Sequence, residues 1–157
     1  MEKTVGGEGR LSLVESAVAV SAAFEGGDDI ARARDLARGF LGDVQAVHGL
    51  PVSGRVMSTV QLVVSELVTN ARKYAPGPCL LDLRVAGGTV EVTVWDANPT
   101  PPAILPPDPS RIGQHGLELV MAVSRSLAVH REPVGKRITT VIELADDTGA
   151  DRAGRRL

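Results

Sequence analysis

The most specific pattern in this sequence is the run Val64-Ser65-Glu66-Leu67-Val68-Thr69-Asn70-Ala71. It lies within residues 53–75, where apolar side chains recur every three or four positions and predict a helix with one buried face. Glu66 and Asn70 are four residues apart, so they share a second face of that helix, and Lys73 continues it. The helix is therefore expected to present an acid, an amide and an amine away from the core.

Glu66 and Asn70 could together serve a magnesium ion, because Mg²⁺ takes oxygen ligands and keeps several of its waters. The simpler interpretation is a solvated helix face that carries one glutamate and one asparagine. Taken alone, the two residues favour this simpler interpretation. The choice therefore depends on the rest of the chain.

The residues before this helix predict a strand region and a further helix. Residues 10–22 alternate in part between apolar and polar side chains, which indicates a strand or two short strands. Asp28 and Asp29 suit a helix N-terminus, and the helix that follows is expected to end near Gly49. Its apolar stripe consists of Ile30, Ala33, Ala37, Phe40, Val44 and Val47. Ser53 is the candidate N-cap of the second helix.

The residues after the second helix predict two hairpins separated by a loop and a third helix. The pattern predicts two strands, at residues 79–85 and 89–95, that are joined by a turn at Gly87-Gly88. Six prolines between residues 98 and 109 exclude a helix or a central strand there and indicate a surface loop, which is either a lid or a passive linker. A third helix from 117 to about 127 is followed by strands at 128–132 and 138–144, with a turn at Gly135.

This order separates helices from strands instead of alternating them strictly. It predicts an α+β fold, a two-layer α/β sandwich with a mixed or antiparallel sheet and three helices on one face. The folded domain is expected to span residues 10–145. Residues 1–9 are expected to be a flexible N-terminus, and residues 146–157 a disordered tail.

The composition excludes several classes of function. A net charge of −2 and an aromatic content of 3% give no basis for nucleic-acid binding. No apolar run reaches the ~18 residues that a membrane span needs, so no membrane partner is expected. The single cysteine, Cys79, excludes an internal disulfide, and without an export signal it predicts a cytoplasmic protein. The signatures of phosphate-loop NTPases and ordinary protein kinases are absent from the sequence.

Three further places carry residues suited to a ligand. Asp96 follows an apolar strand, where it could accept a hydrogen bond from a ligand amine or merely form a turn. Gly113 and Gly116 precede the third helix, whose N-terminal amides and dipole suit a phosphate. The last hairpin carries Lys136, Thr139 and Thr140. These residues could contact a nucleotide, or they could be strand residues with no role in ligand binding.

In this order the motifs resemble those of the GHKL superfamily, which includes gyrase B, Hsp90, histidine kinases and MutL. The resemblance is greatest to small stand-alone members, the anti-sigma factor serine kinases of the RsbW and SpoIIAB type common in actinobacteria. Residues 64–71 match the family's N box, Trp95-Asp96-Ala97-Asn98-Pro99 stands at the first glycine box, and residues 113–120 match the second. The resemblance covers about residues 10–145 and implies the Bergerat-type sandwich.

The resemblance also implies a role for each matching residue, with ATP and Mg²⁺ as the ligands. Asn70 would ligate Mg²⁺, Glu66 would be the general base, and Asp96 would accept from the adenine amino group. Other implied nucleotide contacts are Lys73, Asn98, Arg111, Gly113, His115, Gly116, Leu117, Lys136, Thr139 and Thr140. Within this set the second-box residues offer backbone contacts to phosphates, Thr139 or Thr140 lines the adenine side, and Arg111 or Lys136 supplies a cation for phosphoryl transfer.

Two positions depart from the family's pattern. Asn98 stands where the first box usually has glycine, and His115 stands where the second box often has arginine. An imidazole is neutral in much of the population near pH 7, so it is a poorer phosphate partner than a guanidinium. These departures bear on turnover more than on binding.

The leading hypothesis is an ATP-dependent serine/threonine kinase that binds a sigma factor and phosphorylates a STAS-type anti-sigma factor antagonist. The alternative is a non-catalytic GHKL-like module that sequesters a partner with weak or no ATP turnover. A two-component sensor domain would need an upstream helix pair with a phospho-accepting histidine, and only His48 lies in the first predicted helix. Relatives of the leading type are often dimers, so a homodimer is one assembly to test.

Overall fold

The structure is a computed structural model that describes residues 18–25, 29–74, 77–101 and 116–144. Within these ranges it contains five strands and three helices. The strands are β1 (Val18–Phe24), β2 (Cys79–Ala86), β3 (Thr89–Asp96), β4 (Ser126–Arg131) and β5 (Lys136–Glu143), and the helices are α1 (Asp29–His48), α2 (Gly54–Tyr74) and α3 (Gly116–Val123).

The five strands form one antiparallel sheet in the order β1-β2-β3-β5-β4. The predicted hairpin turn at Gly87 and Gly88 joins β2 to β3, and both glycines have the positive φ angles that such a turn requires. The chain then crosses to the edge strand β4 and returns through β5, which pairs with β3. This crossover brings the start of β5 beside the end of β3.

The helices cover one face of the sheet and bury an aliphatic core. In β2 and β3 every second side chain is buried, as expected for a sheet with one covered face. α2 contributes fully buried valines, including Val60, Val63, Val64 and Val68. Burying one such side chain contributes about 1.5–3 kcal/mol, so this layer holds the helices on the sheet. The predicted α+β sandwich with three helices is confirmed.

Local signals set the ends of the two long helices. The Ser53 Oγ accepts a hydrogen bond from the Val56 amide at 3.1 Å, which satisfies one of the free amides of the first turn of α2. α1 begins at Asp29, whose buried carboxylate accepts from Arg32 at 3.0 Å. The observed ends of α1 and α2 lie within one residue of the predicted ones.

The third helix is shorter than the sequence predicts. α3 ends at Val123 rather than near Leu127, and β4 begins at Ser126. Leu127 pairs with Thr140 of β5 and packs against the core. The strand pairing therefore overrides a helical pattern that continues to Leu127 in the sequence.

Two smaller expectations also change. β1 continues to Phe24, two residues beyond the predicted strand region, while residues 10–17 lie outside the described ranges. Val47 was placed on the buried stripe of α1 but is 72% exposed, whereas Val44 is fully buried. The last turn of α1 therefore lies beyond the core.

No helix in the described ranges is long and apolar enough to cross a bilayer. Residues 1–9 and 146–157 fall outside these ranges, so the predicted flexible N-terminus and disordered tail stay predictions.

Candidate functional site

One end of the sheet gathers several of the residues that the sequence singled out. α2 ends at Tyr74 and β2 begins at Cys79, so the last turns of α2 lie at the end of the sheet where β2 starts. The hairpin returns to the same end, because Leu80 pairs with Trp95. Asp96 is next along β3 and pairs with Lys136, the first residue of β5.

The N-terminus of α3 points toward this same end. β4 begins opposite Val141, which is far along β5 from Lys136. Since α3 ends only three residues before β4, its C-terminus lies at the far end of the sheet and its N-terminal residue, Gly116, is directed to the near end. The amides of that first turn lack partners within the helix and carry its positive dipole end.

Glu66 of α2 lies directly against Gly116. A Cβ atom added at Gly116 would stand 2.5 Å from the Glu66 Oε1, closer than real side chains approach. Any other side chain at position 116 would overlap the carboxylate. Only glycine therefore allows Glu66 to lie beside the N-terminus of α3. A negative charge is favourable there because of the helix dipole.

Asn70 and Lys73 continue the Glu66 face toward the C-terminal end of α2. The four-residue spacing puts Asn70 one turn beyond Glu66 on the same face, and its side chain is half-buried. Lys73 is exposed. Both residues thus lie between Glu66 and the end of the sheet that carries Asp96.

Asp96 forms a buried ion pair with Lys136. The Lys136 Nζ donates to the Asp96 Oδ1 at 3.0 Å, and each side chain is only 2% exposed. Lys136 was considered as a cation for the phosphates. The structure engages its ammonium with a carboxylate of the protein, and a phosphate contact of Lys136 stays a prediction.

Asn98 closes the turn that follows β3. Its backbone amide donates to the Asp96 Oδ1 at 2.9 Å, and its carbonyl oxygen accepts from the Lys136 Nζ at 3.0 Å. The Asn98 Oδ1 accepts from the Thr100 amide at 3.0 Å. The side chain that replaces the family's glycine therefore stabilises its own turn, and a direct contact with a nucleotide stays a prediction.

The two threonines of β5 lie on opposite faces of the sheet. Thr140 is fully buried on the helix-covered face, and its hydroxyl donates to the Val92 carbonyl at 3.4 Å. Thr139 shares a hydrogen bond of 3.1 Å with Thr93 on the other face. Asp96 and Lys136 are on the Thr140 face, because side chains alternate along a strand. Of the two alternatives, Thr140 is the one on the side of the site.

Arg111, Gly113 and His115 lie outside the described residues, so their predicted phosphate contacts stay predictions. Leu117 is described, and its side chain is buried in the core at 6% exposure. Its predicted role concerns only its backbone amide, which belongs to the first turn of α3.

The described side chains suit a magnesium ion that is held mainly by phosphates. No group of three or more His, Cys, Asp or Glu side chains in the described ranges could hold a metal by itself. Mg²⁺ is commonly bound through one or two protein oxygens together with substrate phosphates. The single amide oxygen of Asn70, beside the Glu66 carboxylate, fits that arrangement.

Two features at this end of the sheet were not predicted from the sequence. Lys136 and Asp96 are 40 residues apart, so their pairing depends on the crossover between β3 and β5. Cys79 is buried in the strand next to Asp96, and burial raises the pKa of its thiol. Arg72 acts in the opposite direction, while the charges of Asp29 and Asp96 add to the rise.

Comparison with solved structures shows the same fold in another protein. The chain superposes on the crystal structure of the RsbU and RsbW domains of a Mycobacterium tuberculosis protein with a TM-score of 0.61 and 17% identity, over 83% of this chain and 33% of that one. It thus spans about a third of that structure. A histidine kinase domain of the Erythrobacter litoralis blue-light activated histidine kinase matches with a TM-score of 0.47 and 20% identity, over 73% and 70% of the two chains.

Sequence comparison identifies the family. No curated protein is detectably similar to the chain. The profile of the histidine kinase-like ATPase domain, however, matches residues 28–142, which is most of the chain and includes α1 through most of β5. The chain therefore belongs to the histidine kinase-like ATPase family, the GHKL superfamily that its N box indicated.

Proposed function

We propose that this chain binds ATP and transfers its terminal phosphoryl group to a serine or threonine of a partner protein. The main support is the placement of Glu66 against Gly116, at the N-terminus of α3. This places a carboxylate beside a helix end suited to phosphate. Asp96 is proposed to accept a hydrogen bond from the adenine amino group. It is buried at the end of the sheet toward which α3 points.

Glu66 acts as the general base in this proposal. Its carboxylate takes the proton of the acceptor hydroxyl as the hydroxyl oxygen bonds to the terminal phosphorus and the bond from that phosphorus to the ADP oxygen breaks. The products are ADP and a phosphorylated side chain. A positioned base typically contributes 10²–10⁴-fold to such a step, and the rest comes from orientation and charge neutralisation.

Asn70 and the first turn of α3 hold the phosphate end. Asn70 would offer one amide oxygen to Mg²⁺, which would neutralise part of the phosphate charge. The amides of residues 116–118 supply donors from the helix N-terminus. Arg111 is the candidate cation for the charge that develops during transfer.

The proposed partners follow from the N-box resemblance to small anti-sigma factor kinases. The protein would bind a sigma factor and keep a STAS-type antagonist inactive by phosphorylating it. The family assignment supports a nucleotide-binding, kinase-like domain. The identity of the partners rests on the motif resemblance.

Transfer of radiolabel from ATP to a candidate antagonist tests this function. Glu66→Gln is expected to lower transfer by about 100-fold or more, because it removes the base while keeping size and shape. Glu91→Gln is the matched control, since Glu91 lies on β3 with its side chain on the uncovered face of the sheet. Equal transfer by wild type and Glu66→Gln would overturn the assigned base.

A second candidate is a non-catalytic module that binds its partner without turnover. It is favoured by Asn98, which stands where the family usually has glycine and whose Oδ1 accepts from the Thr100 amide at 3.0 Å. Calorimetric titration with Mg-ATP separates the two candidates. Absence of binding at millimolar ATP would remove the kinase, and tight binding would count against the degenerate module.

A further inference from the structure

Burial and two hydrogen bonds define the position of the Lys136 side chain. It is 2% exposed, and its Nζ donates at 3.0 Å both to the Asp96 Oδ1 and to the Asn98 carbonyl oxygen. Its neighbour Gly135 lies so close to the end of β3 that an added Cβ would overlap the Asp96 carbonyl oxygen. The start of β5 is therefore held tightly against the turn that carries Asp96.

This arrangement fixes which oxygen of Asp96 is used by the protein. The Asp96 Oδ1 accepts two hydrogen bonds, from the Lys136 ammonium and from the Asn98 amide. Both hydrogen bonds described for this carboxylate within residues 77–101 and 116–144 go to that one oxygen. Oδ2 is therefore the atom with capacity to accept from a ligand.

Stability alone does not explain a buried lysine at this position. Replacing a buried ion pair by well-packed apolar side chains is often neutral or stabilising. Isolating one partner, in contrast, leaves a buried charge that is costly. The pair therefore has a consequence beyond packing, because it fixes the orientation of the buried Asp96 carboxylate.

We propose that Lys136 is a positioning residue for base recognition, which holds the Asp96 carboxylate by Oδ1 so that Oδ2 accepts from the amino group of the base. This inference rests on the proposed nucleotide binding and adds a specificity determinant to it. A charged carboxylate only accepts hydrogen bonds, so it selects a 6-amino purine and disfavours a 6-oxo purine. Without the Lys136 ammonium, the carboxylate loses one of the two hydrogen bonds that set its orientation, so Oδ2 is no longer held toward the base.

The proposal predicts a change in base selectivity, which a purely structural role of Lys136 would not produce. ADP and inosine diphosphate carry the same ribose and phosphates and differ at the purine 6-position. Calorimetry on the full-length protein is expected to show that wild type binds ADP at least about tenfold more tightly than inosine diphosphate. In Lys136→Met this ratio is expected to fall to about threefold or less, whereas Lys136→Arg, which keeps the charge, is expected to retain most of it.

Each outcome of this experiment decides one question. If wild type binds neither nucleotide, the proposed function and the inference both fail. If wild type prefers ADP and Lys136→Met shows the same ratio, only the inference fails. A folded Lys136→Met with a lost preference supports the inference. Thermal unfolding of each variant establishes folding. Should Lys136→Met not fold, Lys136→Gln replaces it, since its neutral amide can still donate to the turn but holds the Asp96 Oδ1 less strongly than an ammonium does, so the ratio is again expected to fall. An unchanged ratio in Lys136→Gln would equally overturn the inference.

Discussion

The position of the Glu66 carboxylate depends on the absence of a single methyl group at Gly116. We expect Gly116→Ala to displace the Glu66 Oε1, because the end of a side chain yields more easily than the backbone of α3. A displaced base lowers phosphoryl transfer by about ten- to a hundredfold, while the fold is retained because alanine favours a helix more than glycine does. Transfer rates and thermal unfolding measure the two effects separately.

Gly39→Ala provides the comparison for this substitution. Gly39 is exposed within α1, and a Cβ added there meets nothing within 4 Å. We expect it to leave transfer unchanged. If the two alanine variants had equal activity, the close approach of Gly116 to Glu66 would have no role in positioning the base.

Thr139 and Thr140 allow a second test at the level of single residues. Thr140→Val keeps the shape of the side chain but removes the hydroxyl on the helix-covered face, and we expect it to weaken nucleotide affinity by about three- to tenfold. Thr139→Val removes a hydroxyl on the other face and is expected to leave the affinity within about twofold, although it also ends the bond to Thr93. Calorimetry with ADP compares them. A larger loss in Thr139→Val would mean that the nucleotide lies elsewhere.

Among the structural elements, the junction between the end of β3 and the start of β5 depends most strongly on one residue type, the glycine at position 135. Gly135 combines a φ of 79° with contact against the Asp96 carbonyl oxygen, so Gly135→Ala introduces both backbone strain and overlap. We expect it to lower the free energy of unfolding by more than about 2 kcal/mol, because strain of this kind alone costs about 1–3 kcal/mol. Chemical denaturation measures the change.

Gly88, in the turn between β2 and β3, provides a comparison that separates backbone strain from overlap. It has a similar φ of 80°, but an added Cβ meets nothing within 4 Å. Gly88→Ala is therefore expected to cost about 1 kcal/mol, the strain term alone. Equal losses in the two variants would show that the contact between Gly135 and Asp96 adds nothing.

The elements that the sequence predicted well are those set by local signals. The Ser53 cap, the apolar stripe of α2 and the Gly87-Gly88 turn each act over a few residues, and the structure confirms them. The N box likewise lies on one helix, and together with the other motifs it indicated the family that the profile shows.

What the sequence could not predict depends on contacts between distant segments. The end of α3 is set by the pairing of Leu127 with Thr140, which competes with a helical pattern of similar strength. The partner of Asp96 lies 40 residues away, and the crossover that brings it there leaves no periodic signal. The choice between Thr139 and Thr140 required the register of β5, since a shift of one residue exchanges the two faces.

At the scale of the whole molecule, Cys79 links stability to pH. Its thiol is 1% exposed, and desolvation raises its pKa in the folded state despite the opposing charge of Arg72. In the unfolded chain a thiol loses its proton above about pH 8.5. The unfolded state then binds fewer protons than the folded state, so the free energy of unfolding falls as pH rises from that value through the folded pKa, by up to about 1.4 kcal/mol per pH unit.

Cys79→Ala removes this titration and leaves only a small cavity whose cost does not depend on pH. Wild type is expected to be the more stable protein at pH 7.5, with the difference shrinking as the pH approaches 10. Denaturant unfolding at a series of pH values measures both curves, and other titrating groups cancel in the difference between them. A difference that stays constant across this range would mean that the buried thiol is not coupled to folding, because a raised pKa requires the folded state to hold its proton more tightly than the unfolded chain does.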